Sequence, residues 1–153
     1  MNEIKFRVNG VPPNKQGPSI WSVEEQARRI ISLRTSALES MYRQGLSEPI
    51  DSKIILELEI YASSETLDAI GDLDNLIGGV CDGLKAKPTN PEFKVHDLFY
   101  EPNTIDILPL EPILYKDDSQ IWRLQALKEI SAEENHYNVK IRTVNESVCK
   151  KTE

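Results

Sequence analysis

Apolar and polar residues alternate in three stretches of the chain, and this alternation predicts three β-strands. The first stretch, 4–8, carries apolar residues at every second position and ends at the turn signal Asn9-Gly10. The second, 53–61, has one aliphatic face and one face that contains two glutamates. The third, 137–143, alternates near the C-terminus. Each stretch has the length of an ordinary strand.

Apolar residues at helical spacing predict two helices between these strands. Ser22 and Glu25 have the spacing of a capping box, and the apolar repeat that follows continues to Gly45. This pattern predicts a long amphipathic helix. A shorter helix is predicted after residues 72–75, where an apolar stripe is formed by Leu76, Ile77, Val80, Cys81 and Leu84.

Three further segments complete the predicted organisation of one domain over 1–153. The segment 87–116 contains five of the nine prolines and no sustained period, which predicts a long loop or insertion. The run 119–130 fits both a helix and one face of a strand, and local propensity favours the helix. The polar segment 145–153 is predicted to be a frayed tail.

The composition favours a small cytoplasmic protein with its acidic charge in the middle of the chain. The net charge is −7, and residues 54–118 alone hold 14 acidic and 4 basic side chains. Two cysteines cannot form a disulfide framework, and no apolar run is long enough to cross a membrane. No glycine-rich phosphate loop indicates an organic cofactor. The acidic centre is consistent with a solvated surface or with a site for a hard cation.

The acidic residues around the second helix form the most informative cluster. At about 100° per residue, Asp74, Asp82 and Lys85 share one helix face, opposite the apolar stripe. Gly78 and Gly79 leave the acidic side of this helix without bulk, at a cost of about 1 kcal/mol of helix propensity per glycine. Clustered carboxylates repel one another unless a cation such as Mg²⁺ compensates them. The alternative is that Asp72 or Asp74 only caps the helix.

Three ordered motifs resemble the RusA family of Holliday junction resolvases. They are 72–76 (Asp-Leu-Asp-Asn-Leu), 81–84 (Cys-Asp-Gly-Leu) and 117–121 (Asp-Asp-Ser-Gln-Ile). The segment 11–15 (Val-Pro-Pro-Asn-Lys) is similar to the proline-rich turn after that family's first strand. The resemblance runs from about residue 4 to residue 144 and is interrupted by 87–116.

The resemblance implies a fold of the α/β class (α+β type): a mixed sheet of about four strands packed with two main helices, in the order β-α-β-α-β-β. It therefore favours a strand over 119–130, against local propensity. It also implies a homodimeric, Mg²⁺-dependent endonuclease that cuts four-way junctions or other branched DNA. By resemblance, the catalytic and metal-binding aspartates are Asp72, Asp74 and Asp118, with Asn75, Asp82 and Asp117 around them.

Two departures from the family pattern change what is expected of the site. The family has a lysine four residues after its second aspartate, where this chain has Gly78, and Lys85 is the substitute predicted from the helical face. The stretch 63–68 is neutral to acidic where the family is often arginine-rich. The basic residues left to contact phosphate are Lys15, Arg28 and Arg29, followed by Lys5, Arg7 and Arg34.

The sequence therefore leaves three hypotheses of different classes. The first is an active junction endonuclease. The second is a DNA-binding or accessory protein of the same fold that has lost useful cleavage with the family lysine. The third is an interaction protein whose acidic centre is only a solvated surface. Trp21 and Trp122 fit either base stacking or packing in the core or a dimer interface.

Overall fold

The computed structural model describes residues 3–15, 20–87, 94–102, 107 and 110–144. In this part of the chain the elements follow the order β1, α1, β2, α2, α3, β3, β4. The strands are β1 (Glu3–Asn9), β2 (Ile54–Ala62), β3 (Ile121–Ile130) and β4 (His136–Thr143). The helices are α1 (Glu24–Arg43), α2 (Ser64–Ala69) and α3 (Leu73–Leu84). The protein is of the mixed α+β class, as predicted.

The elements predicted by periodicity are all present, and one short helix was missed. The ambiguous run 119–130 is a strand over most of its length, so that helical propensity is overridden by tertiary pairing. The missed element is α2, which lies in the polar link after β2. Its N-cap is Ser63, whose side chain accepts a hydrogen bond from the Thr66 amide. A serine three residues before a threonine is too common a pattern to predict a six-residue helix.

The predicted capping box of the first long helix is wrong. Val23 occupies the N-cap position in an extended conformation and makes no side-chain cap hydrogen bond. The helix therefore begins one residue later than a Ser22 cap requires. Glu24 and Glu25 lie in its first turn, where their charge interacts favourably with the positive end of the helix dipole.

The four strands form one mixed sheet in the order β1-β4-β2-β3. β4 pairs antiparallel with both β1 and β2, while β3 pairs parallel with β2. A parallel pair needs a crossover connection between its strands. Here the connection contains α2, α3 and the segment that was predicted as an insertion, so the crossover brings α3 and the start of β3 together.

One face of the sheet packs against the helices and forms the core. The alternate apolar residues of β1, β2 and β4 are buried and share a single cluster with residues of α1 and α3; helical members of the cluster include Leu33, Ala37, Met41, Leu76, Val80 and Leu84. The other face carries charged residues, among them Glu57, which pairs with Lys140 and Arg142. No helix in the described ranges is long and apolar enough to cross a membrane.

Strand β3 lies at an edge of the sheet and exposes large apolar side chains. Trp122 is 58% exposed and Ile130 is 69% exposed, and Leu124 and Leu127 are also exposed. β3 pairs with β2 on one side, and the sheet order places no described strand on its other side. An exposed edge strand offers unpaired backbone groups to another chain.

A buried arginine of α1 fastens the predicted insertion to the end of α3. Arg34 is 1% exposed and donates hydrogen bonds to the carbonyls of Gly83, Lys85, Ile107 and Glu111 at 2.6–3.0 Å. Burial lowers the pKa of Arg34 to about 10, so the guanidinium keeps its charge and its donors at neutral pH. The predicted phosphate contact at Arg34 is therefore wrong. Of the insertion 87–116, residues 88–93, 103–106 and 108–109 lie outside the described residues, as does the predicted tail 145–153.

We expect Arg34→Met to lower the free energy of unfolding by at least about 3 kcal/mol, because four carbonyls lose a donor and buried unsatisfied groups cost about 1–3 kcal/mol each. Urea unfolding monitored by circular dichroism measures this. Arg28→Met is the matched control, because Arg28 is exposed on the same helix and its ion pair with Glu24 is of the surface type that contributes about 0.5 kcal/mol or less. Equal effects of the two substitutions would contradict the anchoring role.

Candidate functional site

The motif 72–75 forms the N-terminal end of α3. Asp72 is the N-cap residue, with extended backbone angles, and its side chain makes no cap hydrogen bond. Asp74 lies in the first turn and is exposed. Asp72 therefore occupies the N-cap position, as the capping hypothesis predicted, but its carboxylate does not cap the helix and remains available to a ligand.

The loop after β1 lies directly on α3. The Lys15 amide donates to the Asn75 carbonyl at 3.1 Å, and the Asn14 side chain donates to the Ile70 carbonyl at 2.9 Å. A Cβ atom added at Gly79 would lie 1.9 Å from the Pro13 carbonyl oxygen, so only glycine allows this contact. At Gly78 an added Cβ would lie 3.0 Å from Cδ of Lys15. The two glycines thus allow the loop to pass over the helix, and the Lys15 side chain crosses the helix at Gly78.

Two lysines and two aspartates form an ion-pair chain beside this contact. Nζ of Lys15 lies 3.2 Å from Oδ2 of Asp82, and Nζ of Lys85 lies 3.2 Å from Oδ1 of Asp82. Lys85 also contacts Oδ2 of Asp118 at 2.7 Å. Burial acts to lower the pKa of Lys85, but hydrogen bonds and charges from Asp118 and Asp82 outweigh it and raise that pKa above its usual value. Lys85 is therefore a fixed positive charge between two carboxylates.

Asp118 is held from two sides at the start of β3. Its Oδ2 accepts from Lys85, and its Oδ1 accepts from the Tyr115 hydroxyl at 3.3 Å. Asp117 has a different role, since its carboxylate caps the short 3₁₀ turn Asp118–Gln120 by accepting from the Ser119 amide. Hydrogen bonds from the side chain and the backbone of Ser119 lower the pKa of Asp117. The neighbouring aspartates are thus divided between a structural cap and a site residue.

The Cys81 thiol is buried and has a raised pKa. Cys81 lies on α3, and burial raises the pKa of its thiol; a hydrogen bond with Tyr115 and the charge of Lys85 act in the opposite direction but do not outweigh burial. Burial likewise raises the pKa of Tyr115. Both groups are therefore protonated at neutral pH, and Tyr115 acts as a donor to Asp118.

The carboxylates of three motifs open into one surface cleft of about 470 Å³. Its lining combines acidic, basic and apolar side chains: Lys15, Asp74, Cys81, Asp82, Asp118 and Arg123, together with Ile77, Gly78 and the start of β3 from Ile121 to Leu124. The exposed Trp122 thus lies in the cleft, whereas Trp21 is buried and packs on Phe99. The cleft has the oxygen ligands, the cations and the flat aromatic surface that a nucleic-acid site uses.

Not all the predicted site residues meet in this cleft. Asp74, Asp82, Asp118 and Lys15 do, whereas Asp72 and Lys85 are not part of its lining. Arg28 and Arg29 lie on α1, paired with Glu24 and Glu25 one turn earlier, and neither lines the cleft. The backbone carbonyl of Asn75 accepts a hydrogen bond from the backbone amide of Lys15. Asp82 was predicted to lie around the metal ligands. It instead lines the cleft itself and forms ion pairs with Lys15 and Lys85.

The carboxylates of the cleft fit a Mg²⁺ site only if waters and a substrate phosphate supply the remaining ligands. Among the described residues no three carboxylate, histidine or cysteine side chains are grouped as a ready ligand set. Mg²⁺ is commonly bound by one or two carboxylates together with waters and substrate phosphates. Asp74 and Asp118, which share the cleft, supply that number of ligands.

Sequence reasoning missed Tyr115, Arg123 and the role of Arg34. Arg34 had a usable signal, because helical spacing from Ile30 leads to Leu33, Arg34 and Ala37, and an arginine in an apolar stripe is a sign of a buried charge. Tyr115 and Arg123 had none, because each reaches the site only through the path of the chain around α3 and β3.

No family model matches the chain, and no curated protein is significantly similar to it. A function for this chain is therefore inferred from the motifs and from the geometry of the cleft.

We expect Gly79→Ala to lower the free energy of unfolding by about 1–3 kcal/mol, because the added methyl group displaces the loop that lies on the helix. Gly78→Ala meets only the flexible Lys15 side chain, so the gain of up to about 1 kcal/mol in helix propensity should leave it neutral or stabilised. Chemical denaturation of both variants measures the difference. Stabilisation by Gly79→Ala would show that the loop does not rest on α3 in solution.

Proposed function

We propose that this protein is a RusA-like, Mg²⁺-dependent endonuclease that cleaves four-way junctions or related branched DNA. The observation that carries the proposal is the convergence of Asp74 and Asp118, which are 44 residues apart in the sequence, in one cleft with Lys15. Carboxylates and ammonium groups around one open cleft are the groups that phosphodiester hydrolysis requires.

The architecture supports the family-level part of the proposal. The resemblance implied a four-stranded mixed sheet and a strand after the second aspartate pair, against local propensity. A mixed four-stranded sheet and strand β3 are both found. The helix count differs by the short α2, which lies before the motif and leaves the position of the motif on α3 unchanged.

In the proposed reaction each residue has a separate electrostatic task. Asp74 and Asp118 would hold Mg²⁺, which would polarise the phosphate and lower the pKa of the attacking water. The water oxygen forms a bond to phosphorus, the bond from phosphorus to one ester oxygen breaks, and the proton ends on the departing oxygen. A phosphate monoester and a hydroxyl remain. Lys85 and Tyr115 fix the orientation of Asp118.

A second function of another class is supported by a specific observation. The chain has Gly78 at the position where the family pattern has a lysine. Lys85 does not line the cleft, because its ammonium group is held between Asp82 and Asp118. A chain without a cation at the phosphate would bind branched DNA and cut it poorly. The binding-only alternative therefore predicts salt-sensitive junction binding without Mg²⁺-dependent nicking.

We expect Asp74→Asn to reduce Mg²⁺-dependent cleavage of a labelled synthetic four-way junction by at least about 100-fold, the scale on which single charge-stabilising groups contribute. Junction binding should be kept or strengthened, because the substitution removes a negative charge that faces phosphate. Linear duplex and single strands serve as competing substrates, and EDTA removes the metal.

The matched control is Asp68→Asn, because Asp68 is an exposed aspartate of α2 outside the cleft. It should cut at the wild-type rate. Junction binding without cleavage by the wild-type protein would favour the binding-only alternative. Absence of both activities would contradict any role on branched DNA.

We propose further that the protein acts as a homodimer through β3. A two-fold axis through Ala126 would pair β3 antiparallel with the same strand of a second copy. Trp122 would then lie opposite Ile130 of the other copy, and Arg123 opposite Glu129. This register covers the exposed Trp122 with the exposed Ile130 of the other copy and pairs opposite charges.

We expect Arg123→Glu and Glu129→Arg each to weaken the dimer, because each places like charges opposite one another across the axis. The double variant restores both pairs with reversed sign and should dimerise as the wild type does. Sedimentation equilibrium gives the dissociation constants. A wild-type monomer, or single variants that dimerise normally, would contradict this interface.

A further inference from the structure

We propose that Lys15 supplies the ammonium group that contacts the reacting phosphate in the cleft, in the place of the side chain that Gly78 lacks. The inference rests on the proposed nuclease function and names a residue of the same site. It assigns the catalytic cation to the loop after β1 instead of to α3, where the helical pattern had placed it at Lys85.

The Lys15 side chain occupies the space beside residue 78: an added Cβ at Gly78 would lie 3.0 Å from Cδ, 3.5 Å from Cβ and 3.8 Å from Cγ of Lys15. A long side chain at position 78 would therefore displace the Lys15 side chain from its present path. Because residue 78 is glycine, the Lys15 side chain from the loop can occupy the space that a side chain at that position would fill.

The backbone of the loop after β1 is fixed at the point from which the Lys15 side chain extends. The Lys15 amide is bonded to the Asn75 carbonyl, and the Asn14 amide donates to Oε1 of Gln26 at 2.7 Å. Pro12 and Pro13 are buried, and the Pro13 carbonyl rests on Gly79. Because the stem starts from a fixed point, only the side-chain torsions of Lys15 must be ordered when it binds a phosphate.

The two lysines differ in exposure, in their contacts and in their position relative to the cleft. Lys85 is 27% exposed, contacts Asp82 and Asp118, and does not line the cleft. Lys15 is 57% exposed, contacts Asp82, and lines the cleft with Asp74 and Asp118. A phosphate can therefore reach Lys15 without disruption of the pair that orients Asp118. Lys85 is a positioning residue, and Lys15 is the cation that substrate meets.

The test is single-turnover cleavage of the four-way junction in Mg²⁺ by four proteins: wild type, Lys15→Ala, Lys116→Ala and the double variant Lys15→Ala/Gly78→Lys. We expect Lys15→Ala to cut at least about 100-fold more slowly. Lys116→Ala is the matched control, because Lys116 is 53% exposed, has its own aspartate partner at 3.2 Å and lies outside the cleft. It should cut at the wild-type rate.

The double variant tests the replacement itself. Truncation at Lys15 removes the atoms nearest to position 78 except Cβ, which would remain at an ordinary contact distance of 3.5 Å. The lysine introduced by Gly78→Lys is then one turn before Asp82, the carboxylate that Lys15 contacts. We expect it to recover at least about tenfold of the lost rate, which a purely structural role of Lys15 would not allow.

Junction binding in EDTA at several salt concentrations gives a readout without turnover. Loss of one phosphate contact should reduce the slope of log affinity against log salt by about one in Lys15→Ala, with no change in Lys116→Ala. Urea unfolding checks that each variant is folded. If Lys15→Ala does not fold, Lys15→Gln, which keeps most of the side-chain stem over Gly78, is measured in its place.

The outcomes separate the inference from the proposed function. Cleavage by the wild type together with wild-type rates for Lys15→Ala would overturn the inference and leave the nuclease function standing. No cleavage of any substrate by the wild type would overturn the nuclease function and the catalytic role of Lys15 with it. An unchanged salt slope in Lys15→Ala would also contradict the phosphate contact.

Discussion

The hydrogen bonds of the buried Arg34 guanidinium are the constraint on which the site depends. A buried charge without hydrogen-bond partners would greatly lower the stability of the fold. Carbonyls from the end of α3 and from the segment between α3 and β3 therefore have to accept hydrogen bonds from Arg34. One of these carbonyls belongs to Lys85, whose side chain orients Asp118. The Lys85 backbone thus connects the core of the protein to the chemistry of the cleft.

A second close contact, between the loop after β1 and α3, sets the shape of the cleft. Two adjacent glycines weaken a helix by about 1 kcal/mol each, and here that cost is offset by the approach of a whole loop. The Pro13 carbonyl and the Lys15 stem occupy the volume that side chains would fill. The same contact explains why a cation of the cleft comes from a segment far from the motif in the sequence.

The electrostatics of the site follow from this packing. The chain is acidic overall, yet the carboxylates of the cleft are accompanied by Lys15, Lys85 and Arg123. A phosphate that approaches therefore meets alternating charges, and Mg²⁺ bound by one or two carboxylates would shift the balance further towards an anion. This arrangement is consistent with a nucleic-acid site in a protein whose net charge argues against one.

The sequence alone determined the strands 4–8, 53–61 and 137–143, the two long helices and the aspartates of the motifs, because periodicity and local motifs are properties of neighbouring residues. It could not determine the register that makes β3 a strand or the four carbonyls that accept hydrogen bonds from Arg34. Nor could it tell which lysine faces the cleft. Lys15 and Lys85 are both plausible in the sequence, and only the path of two distant segments across α3 decides between them. Such contacts depend on long-range packing, which no local pattern encodes.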